Sequence, residues 1–381
     1  VIAVVIFWVA LCLLLYAYLG YPVLIGAWAM LRPRPAMRGA NLPPVTLVVV
    51  AHDEAERIEA RIDNLGALDY PRDALEILIV SDGSSDGTAE RALACAPSGM
   101  QVIAFPTWRG KPAVLNEIVP QARGEIVVLA DARQRFDRGA VRALVACFDD
   151  PGVGGVSGDL ILTADGRDTA VARGVGAYRR YESFVRLSES RVGSTVGATG
   201  AIYAIRRALF TSLPEDTILD DVLIPMRIVR RGYRVLFEPA ARAFDRAPAT
   251  TREEFGRKAR TLAGNFQLLF RETWLLNPIG NRLWVQTVSH KGLRLLGPVL
   301  LVAALTSNLF LFGRPGYRLG LLAQAAFYGG AVLGGTLRGR KGGFPLFSLP
   351  YTFCLVNGAA LVGAFRFFAS RQPVTWKKAP A

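Results

Sequence analysis

The chain has 381 residues, a formal net charge of +14 and 51% hydrophobic residues, so beside one folded domain there is room for membrane segments. Its arginines are spread along the whole length and cluster beside apolar stretches, with no compact Lys/Arg-rich run, which fits membrane topology and anionic phosphate ligands and disfavours a nucleic-acid groove. The four cysteines, Cys12, Cys95, Cys147 and Cys354, form no CxxC pair and read as reduced packing residues.

Val1–Leu31 carries no charged side chain and exceeds the ~20 apolar residues that cross a bilayer. It is too long for a cleaved signal peptide, and no basic segment precedes it. Arg32, Arg34 and Arg38 follow, a basic flank that predicts a cytoplasmic location for what comes next. Residues 32–43 read as a basic, Pro-rich linker.

From Pro44 the pattern is that of an α/β domain reaching Arg271. Strands are predicted at Val45–Ala51, Leu75–Ser81, Gln101–Phe105 and Ile126–Asp131, with helices at Glu54–Leu68, Asp86–Ala96 and Lys111–Pro120 between them. Strand and helix alternating at these distances predict a mostly parallel sheet with right-handed crossovers. Residues 272–290, containing the Trp274–His290 stretch, read as an amphipathic helix in the membrane interface. Residues 291–368 hold three further spans, Leu293–Phe312, Leu319–Leu337 and Phe344–Phe365, the last broken or kinked at Pro350 and Asn357. Arg338, Arg340 and Lys341 assign the loop between the last two to the cytoplasm. Four spans put both termini outside, with Arg314, Arg318 and the tail residues Lys377 and Lys378 (tail 369–381) on the same side.

The chemistry gathers at strand ends, where open α/β sheets bind ligands. The first strand runs into Asp53 and Glu54, the second into Ser81-Asp82-Gly83-Ser84-Ser85-Asp86-Gly87-Thr88, and the fourth ends on Asp131, with Arg133 and Arg135 close behind. Each segment alone is a capped turn. Together they set carboxylates along one edge, a repulsive arrangement unless a cation or a ligand's donors offset it. Gly110-Lys111 supplies a cation there without the P-loop spacing. No GxGxxG follows the first strand, no HExxH is present, and the chain has only His52 and His290, which disfavours a dinucleotide site, a histidine metal site and a Ser-His-Asp triad. Asp220 and Asp221 precede a helix reaching about Arg231. One carboxylate would serve as its N-cap, and the surplus one fits a general base. Thr251–Glu254 matches a capping box opening a helix whose Arg257 and Arg260 share a face, a phosphate-binding pattern or a solvated basic surface.

With these residues assembled, the chain resembles the membrane-embedded, inverting, processive glycosyltransferases of family 2, such as the bacterial synthases of poly-N-acetylglucosamine, chitin oligosaccharide, hyaluronan and cellulose. The resemblance implies an A-type glycosyltransferase fold with transmembrane helices at both ends, in the bacterial inner membrane, its catalytic domain cytoplasmic. It implies a UDP-sugar donor, contacted by Asp53, Glu54 and Asp82 and flanked by Lys111, and a saccharide or lipid-linked acceptor beside Thr199 and Gly200. Asp131 matches the first acid of the DxD motif and would face Mg2+ or Mn2+ on the diphosphate. Asp221, with Asp220, matches the acidic pair that supplies the base. Arg257, Lys258 and Arg260 occupy the place of the Gln-x-x-Arg-Trp motif, at the diphosphate and acceptor. Two departures stand out. DxD reads Asp131-Ala132-Arg133, and Gln-x-x-Arg-Trp has become Arg257-Lys-Ala-Arg260-Thr261. The expected activity is inverting extension of a polysaccharide. Transfer of one sugar to a lipid or short saccharide is the nearest alternative, and a transporter with a nucleotide-sensing domain a remote one.

Overall fold

Every residue of β1 (Val45–Ala51) is buried, as a β-branched run must be when helices cover both faces of its sheet. In the computed structural model, which describes residues 1–163, 170–247, 250–337 and 345–372, this strand lies near the centre of an eight-stranded sheet ordered β3-β2-β1-β4-β7-β6-β8-β5. Before the sheet come α1 (Ile2–Leu15) and α2 (Tyr21–Leu31). The remaining strands are β2 (Leu75–Asp82), β3 (Met100–Phe105), β4 (Ile126–Asp131), β5 (Arg135–Phe136), β6 (Val153–Thr163), β7 (Tyr203–Arg206) and β8 (Arg234–Arg246). Interleaved with them are α3 (Ile58–Gly66), α4 (Thr88–Cys95), α5 (Lys111–Gln121), α6 (Ala140–Val145), α7 (Ala170–Val192) and α8 (Asp220–Arg230).

β3, β2, β1 and β4 pair in parallel, as the strand–helix alternation predicts. β7 then enters antiparallel between β4 and β6, while β6 and β8 are parallel. The C-terminal ends of β1, β2 and β4 therefore share one edge, and β7 starts at it, with Tyr203 opposite Leu129. The core beneath is aliphatic, built from Leu47, Val49, Ile58, Ile62, Ile79, Val128 and Leu144 among others.

The chain divides into two compact units. The sheet unit comprises Trp28–Thr163 and Arg186–Arg246. Residues 34–38 of the Pro-rich linker are tied to it by polar contacts. The Arg34 N–H donates to the Arg191 carbonyl, Arg234 Nη2 donates to the Arg34 carbonyl at 2.6 Å, and Arg38 pairs at 2.6 Å with Glu238, a carboxylate only 2% exposed.

The helical unit comprises Val1–Ala27, Ala164–Val185 and Ala247–Gln372, with α9 (Thr251–Arg271), α10 (Trp284–Gln286), α11 (Leu293–Phe310), α12 (Pro315–Leu337) and α13 (Pro345–Phe368). Helical segments at Ile2–Leu31, Trp284–Phe310, Pro315–Leu337 and Leu346–Phe368 are long and apolar enough to cross a bilayer. This is an integral membrane protein. Three expectations change. Trp274–His290 is not one interfacial helix. Its start is a 3-10 turn over Thr273–Leu276, and Trp284–His290 runs on through a π turn into α11. α13 continues unbroken through Pro350. The α9 cap is Thr250, whose hydroxyl accepts the Glu253 N–H, so the motif starts one residue before Thr251. Arg338, Arg340, Lys341, Lys377 and Lys378, used above for topology, lie outside the described residues. Gly363 lets α13 approach α9 closely, since a Cβ there would stand 2.8 Å from the Ala259 carbonyl oxygen. Arg294, within an apolar segment, is held by Glu182, which His290 also meets at 3.0 Å.

Candidate active site

The loops after β1 and β2 are knitted together by their own polar side chains. Asp53 adopts a left-handed backbone, φ 53°. Its N–H donates to Ser84 Oγ, and its Oδ1 accepts the Ser85 N–H at 2.9 Å. The Glu54 N–H donates to Thr88 Oγ1, while its carboxylate, 6% exposed, accepts from Arg57. Asp86 accepts the N–H groups of Ala55 and Thr88. The Asp86–Thr88 contact is an Asx turn, while the contacts of Asp53, the Glu54 N–H and the Ala55 N–H cross between the two loops.

Asp82 faces inward. It is 1% exposed, and its two oxygens accept the N–H groups of Arg109 and Gly110 at 3.0 and 2.8 Å. It therefore builds the 107–111 loop, whereas the resemblance assigned it to the nucleotide. Gly83 is needed there, because a Cβ would lie 2.1 Å from the Trp108 nitrogen. Above this loop the His52 ring stacks on Trp108 with centroids 4.0 Å apart, and His52 Nδ1 lies 2.7 Å from the Asp82 carbonyl oxygen.

Lys111, which opens α5, is the buried hinge of the edge. Its side chain is 6% exposed, with Nζ 2.8 Å from Asp131 Oδ1 and 3.4 Å from Asp220 Oδ2. Burial acts to lower its pKa, but the carboxylates of Asp131, Asp220 and Asp221 outweigh burial and hold the ammonium above its ordinary range. Tyr203, fully buried, donates its hydroxyl to Asp220 Oδ2 at 3.2 Å.

Asp220 and Asp221 lie in the first turn of α8, and neither caps it. Leu219 holds the cap position and no side chain makes the capping bond. A first-turn carboxylate still gains from the helix dipole. The two acids differ in surroundings. Asp220 is 9% exposed and bound by Lys111 and Tyr203, whereas Asp221 is half-buried. The segment holding Thr199 and Gly200 is clipped onto this turn. The Ala198 N–H donates to the Asp221 carbonyl at 2.7 Å, and the Gly200 N–H donates to Asp221 Oδ2 at 2.8 Å. A Cβ on Gly200 would stand 3.3 Å from Asp221 Oδ2 and 3.8 Å from Asp131 Oδ2, so both carboxylates border the same small space.

Arg133 is half-buried and makes no side-chain hydrogen bond or ion pair among the described residues. Sequence reasoning missed Arg61, buried at 3% exposure, with Nη1 on Asn64 and its guanidinium 4.2 Å from the Phe136 ring centroid. Burial lowers its pKa to about 9, against the pull of Asp131, so it remains charged at neutral pH. It also missed Tyr203 and Trp108. A helical Arg or a strand Tyr carries no local mark of such a role.

Arg257, Lys258 and Arg260 lie on α9 in the helical unit, where Arg257 pairs with Glu253 and Lys258 lies over the Tyr178 ring.

Among the described residues, no group of three His, Cys, Asp or Glu side chains forms a metal cage. At the position of the DxD motif the site offers Asp131, with Oδ1 on Lys111. That fits an ion carried by a diphosphate, because Mg2+ is commonly held by one or two carboxylates plus substrate phosphates and water.

A mostly parallel α/β sheet with this acidic C-terminal edge, in a chain with helices apolar enough to cross a membrane, has the architecture of an A-type glycosyltransferase. The family model "Glycosyltransferase like family 2" matches residues 43–274. The chain belongs to that family and is a glycosyltransferase. It is 26% identical over 250 residues to a poly-beta-1,6-N-acetyl-D-glucosamine synthase of Staphylococcus aureus, covering 64% of this chain and 59% of the relative. The corresponding synthase of Staphylococcus epidermidis is 24% identical, covering 60% and 56%. The chain thus spans less than two thirds of these relatives. Among solved structures it resembles a mannosyltransferase of Pyrobaculum calidifontis in complex with GDP-Man and Mn2+, with a TM-score of 0.74, 23% identity and coverage of 96% of this chain and 99% of that one.

Proposed function

We propose that this protein extends a saccharide from a nucleotide-activated sugar, a UDP-sugar on the family resemblance drawn from the sequence, by single displacement with inversion. The observation that carries the reading is the pairing of Asp221 and Asp131 across Gly200. One carboxylate is then set for the acceptor and the other for the donor's diphosphate, a few ångströms apart.

In the reaction the acceptor hydroxyl oxygen attacks the anomeric carbon. Asp221 takes the hydroxyl proton as that bond forms, a contribution of about 10²–10⁴-fold for a placed general base. The bond from the anomeric carbon to the diphosphate oxygen breaks, and the nucleoside diphosphate leaves with the electron pair. Arg133, half-buried beside Asp131 in sequence, and Lys111 offer positive charge where the leaving group gains negative charge. Asp131 would hold a divalent cation on the diphosphate, which when bound would supply Lewis-acid stabilisation of the same group. Asp53 borders the nucleotide, while Glu54 and Asp82 shape its loops. Thr199 and Gly200 line the acceptor side. Arg257, Lys258 and Arg260 are proposed at the diphosphate and acceptor on the resemblance alone. The apolar helices anchor the enzyme in a bacterial plasma membrane with the sheet unit on the cytoplasmic side.

The test is Asp221→Asn in purified full-length protein, assayed with radiolabelled nucleotide sugars. The expected loss is at least 10²-fold in kcat with donor binding retained. Transfer at the wild-type rate removes Asp221 from the role of base. Product length on a gel distinguishes polymer extension from single-sugar transfer to a lipid or short saccharide.

A further inference from the structure

The proposed mechanism uses Asp221 and leaves its neighbour Asp220 without a task, although Asp220 is the more elaborately held of the two. Its Oδ2 receives the Tyr203 hydroxyl at 3.2 Å and lies 3.4 Å from Lys111 Nζ, which itself holds Asp131 at 2.8 Å. Asp131, Lys111, Asp220 and Tyr203 thus form one chain across β4, α5, α8 and β7. Tyr203 is the fixed end. It is fully buried, opposite Leu129 in β4 and Ser157 in β6. A strand locked between two neighbours offers a more rigid anchor than a helix terminus.

We infer that Tyr203 is a positioning residue for the transfer reaction, pinning Asp220 and thereby the first turn of α8 so that Asp221 meets the acceptor hydroxyl in line. The inference rests on the reading of Asp221 as base. Successive residues in an α-helix differ by about 100° in direction, so a first turn pinned through Asp220 fixes where the Asp221 carboxylate points. Without the phenol, Asp220 is left to Lys111, which is shared with Asp131, and it swings toward that shared charge. The Asp221 carboxylate then shifts against its Gly200 N–H bond. Misplacement on the ångström scale costs up to about 10²-fold in rate. Burial raises the Tyr203 pKa well above its ordinary range, and the nearby Asp220 and Asp221 carboxylates raise it further, so the hydroxyl keeps its proton and stays a donor.

Tyr203→Phe removes one oxygen and keeps the ring that fills the core. In the full-length enzyme kcat should fall about ten-fold with the donor KM within about two-fold of wild type, and the count of donor sites by equilibrium binding should stay at one per chain. Because Tyr203 acts through Asp220, the double variant Tyr203→Phe/Asp220→Asn should be no slower than Asp220→Asn alone. Three results overturn the inference: an unchanged kcat for Tyr203→Phe, losses that multiply in the double variant, or a site count that falls in step with kcat, which marks a purely structural role. Full activity of Asp221→Asn would instead strike the reading of the base.

Discussion

Replacing Lys111 with methionine keeps an unbranched chain of similar volume and deletes one charge. Two carboxylates would then face each other around an apolar tip, Asp131 with 30% of its side chain exposed and Asp220 with 12%. Breaking a buried ion pair by removing one partner costs about 3–5 kcal/mol. Water reaching Asp131 screens part of the repulsion, so the lower figure, about 3 kcal/mol, applies. A domain of ~150–250 residues loses about 2–4 °C of Tm per kcal/mol, hence a fall of about 6–12 °C. The assay is intrinsic-fluorescence melting of detergent-solubilised protein across a pH series. The folded chain binds the Lys111 proton more tightly than the unfolded chain, whose lysine has the ordinary value of 10.5. The stabilisation is therefore complete below that value and is lost only as pH rises through the raised one. The gap between wild type and Lys111→Met should stay level from neutral pH to about pH 10 and close above it. A fall under about 2 °C at neutral pH, where about 6–12 °C is expected, refutes the assignment of Lys111 as the charge that holds this edge together.

Gly200→Ala puts a methyl 3.3 Å from Asp221 Oδ2 and 3.8 Å from Asp131 Oδ2. It should cut kcat about ten-fold or more, a displacement effect, with little change in melting, as a site-directed steady-state assay will read. Excess EDTA should lower transfer steeply, with recovery on adding Mn2+ or Mg2+, because Asp131 is the single acid at this position. Undiminished turnover in chelator would leave the diphosphate to Arg133 and Lys111.

The strands at Val45–Ala51 and Ile126–Asp131 were legible because a buried parallel strand needs a continuous β-branched or apolar run, and little else in a chain looks like one. The placement of Asp53 and Asp131 at one edge followed from the same reading, since strand ends in a parallel sheet share a side. Asp221, by contrast, lies in the first turn of α8, and its approach to Asp131 did not follow from it. The division of labour among the acids was not legible. Asp82 and Asp131 each end a strand, yet one is sealed beneath the 107–111 loop and the other borders Gly200. That difference depends on how the next loop folds back, which spacing does not record. Tyr203 is hidden for a related reason. An aromatic residue in a strand is ordinary core, and only the antiparallel insertion of β7 beside β4 brings its hydroxyl to Asp220. Short-range signals erred by small steps, as with the cap at Thr250. Composition erred by a larger one at Trp274–His290, where polar residues that suggest an interfacial face turn inward, Asn281 being buried against Leu275 and Thr287.

The strap formed by residues 34–38 has a practical consequence for anyone trimming this protein. Glu238 sits on β8 at 2% exposure, with Cys147 Sγ 3.7 Å away and Arg38 as its ion-pair partner. A fragment started at Pro44, the point where strand and helix begin to alternate, would strand that carboxylate inside the fold with its counter-charge cut away. It would also leave the Arg234 guanidinium without the Arg34 carbonyl it grips. A soluble sheet fragment should therefore begin upstream of Arg34, and its poor behaviour when begun later would reflect a severed ion pair rather than an inability of the sheet to fold.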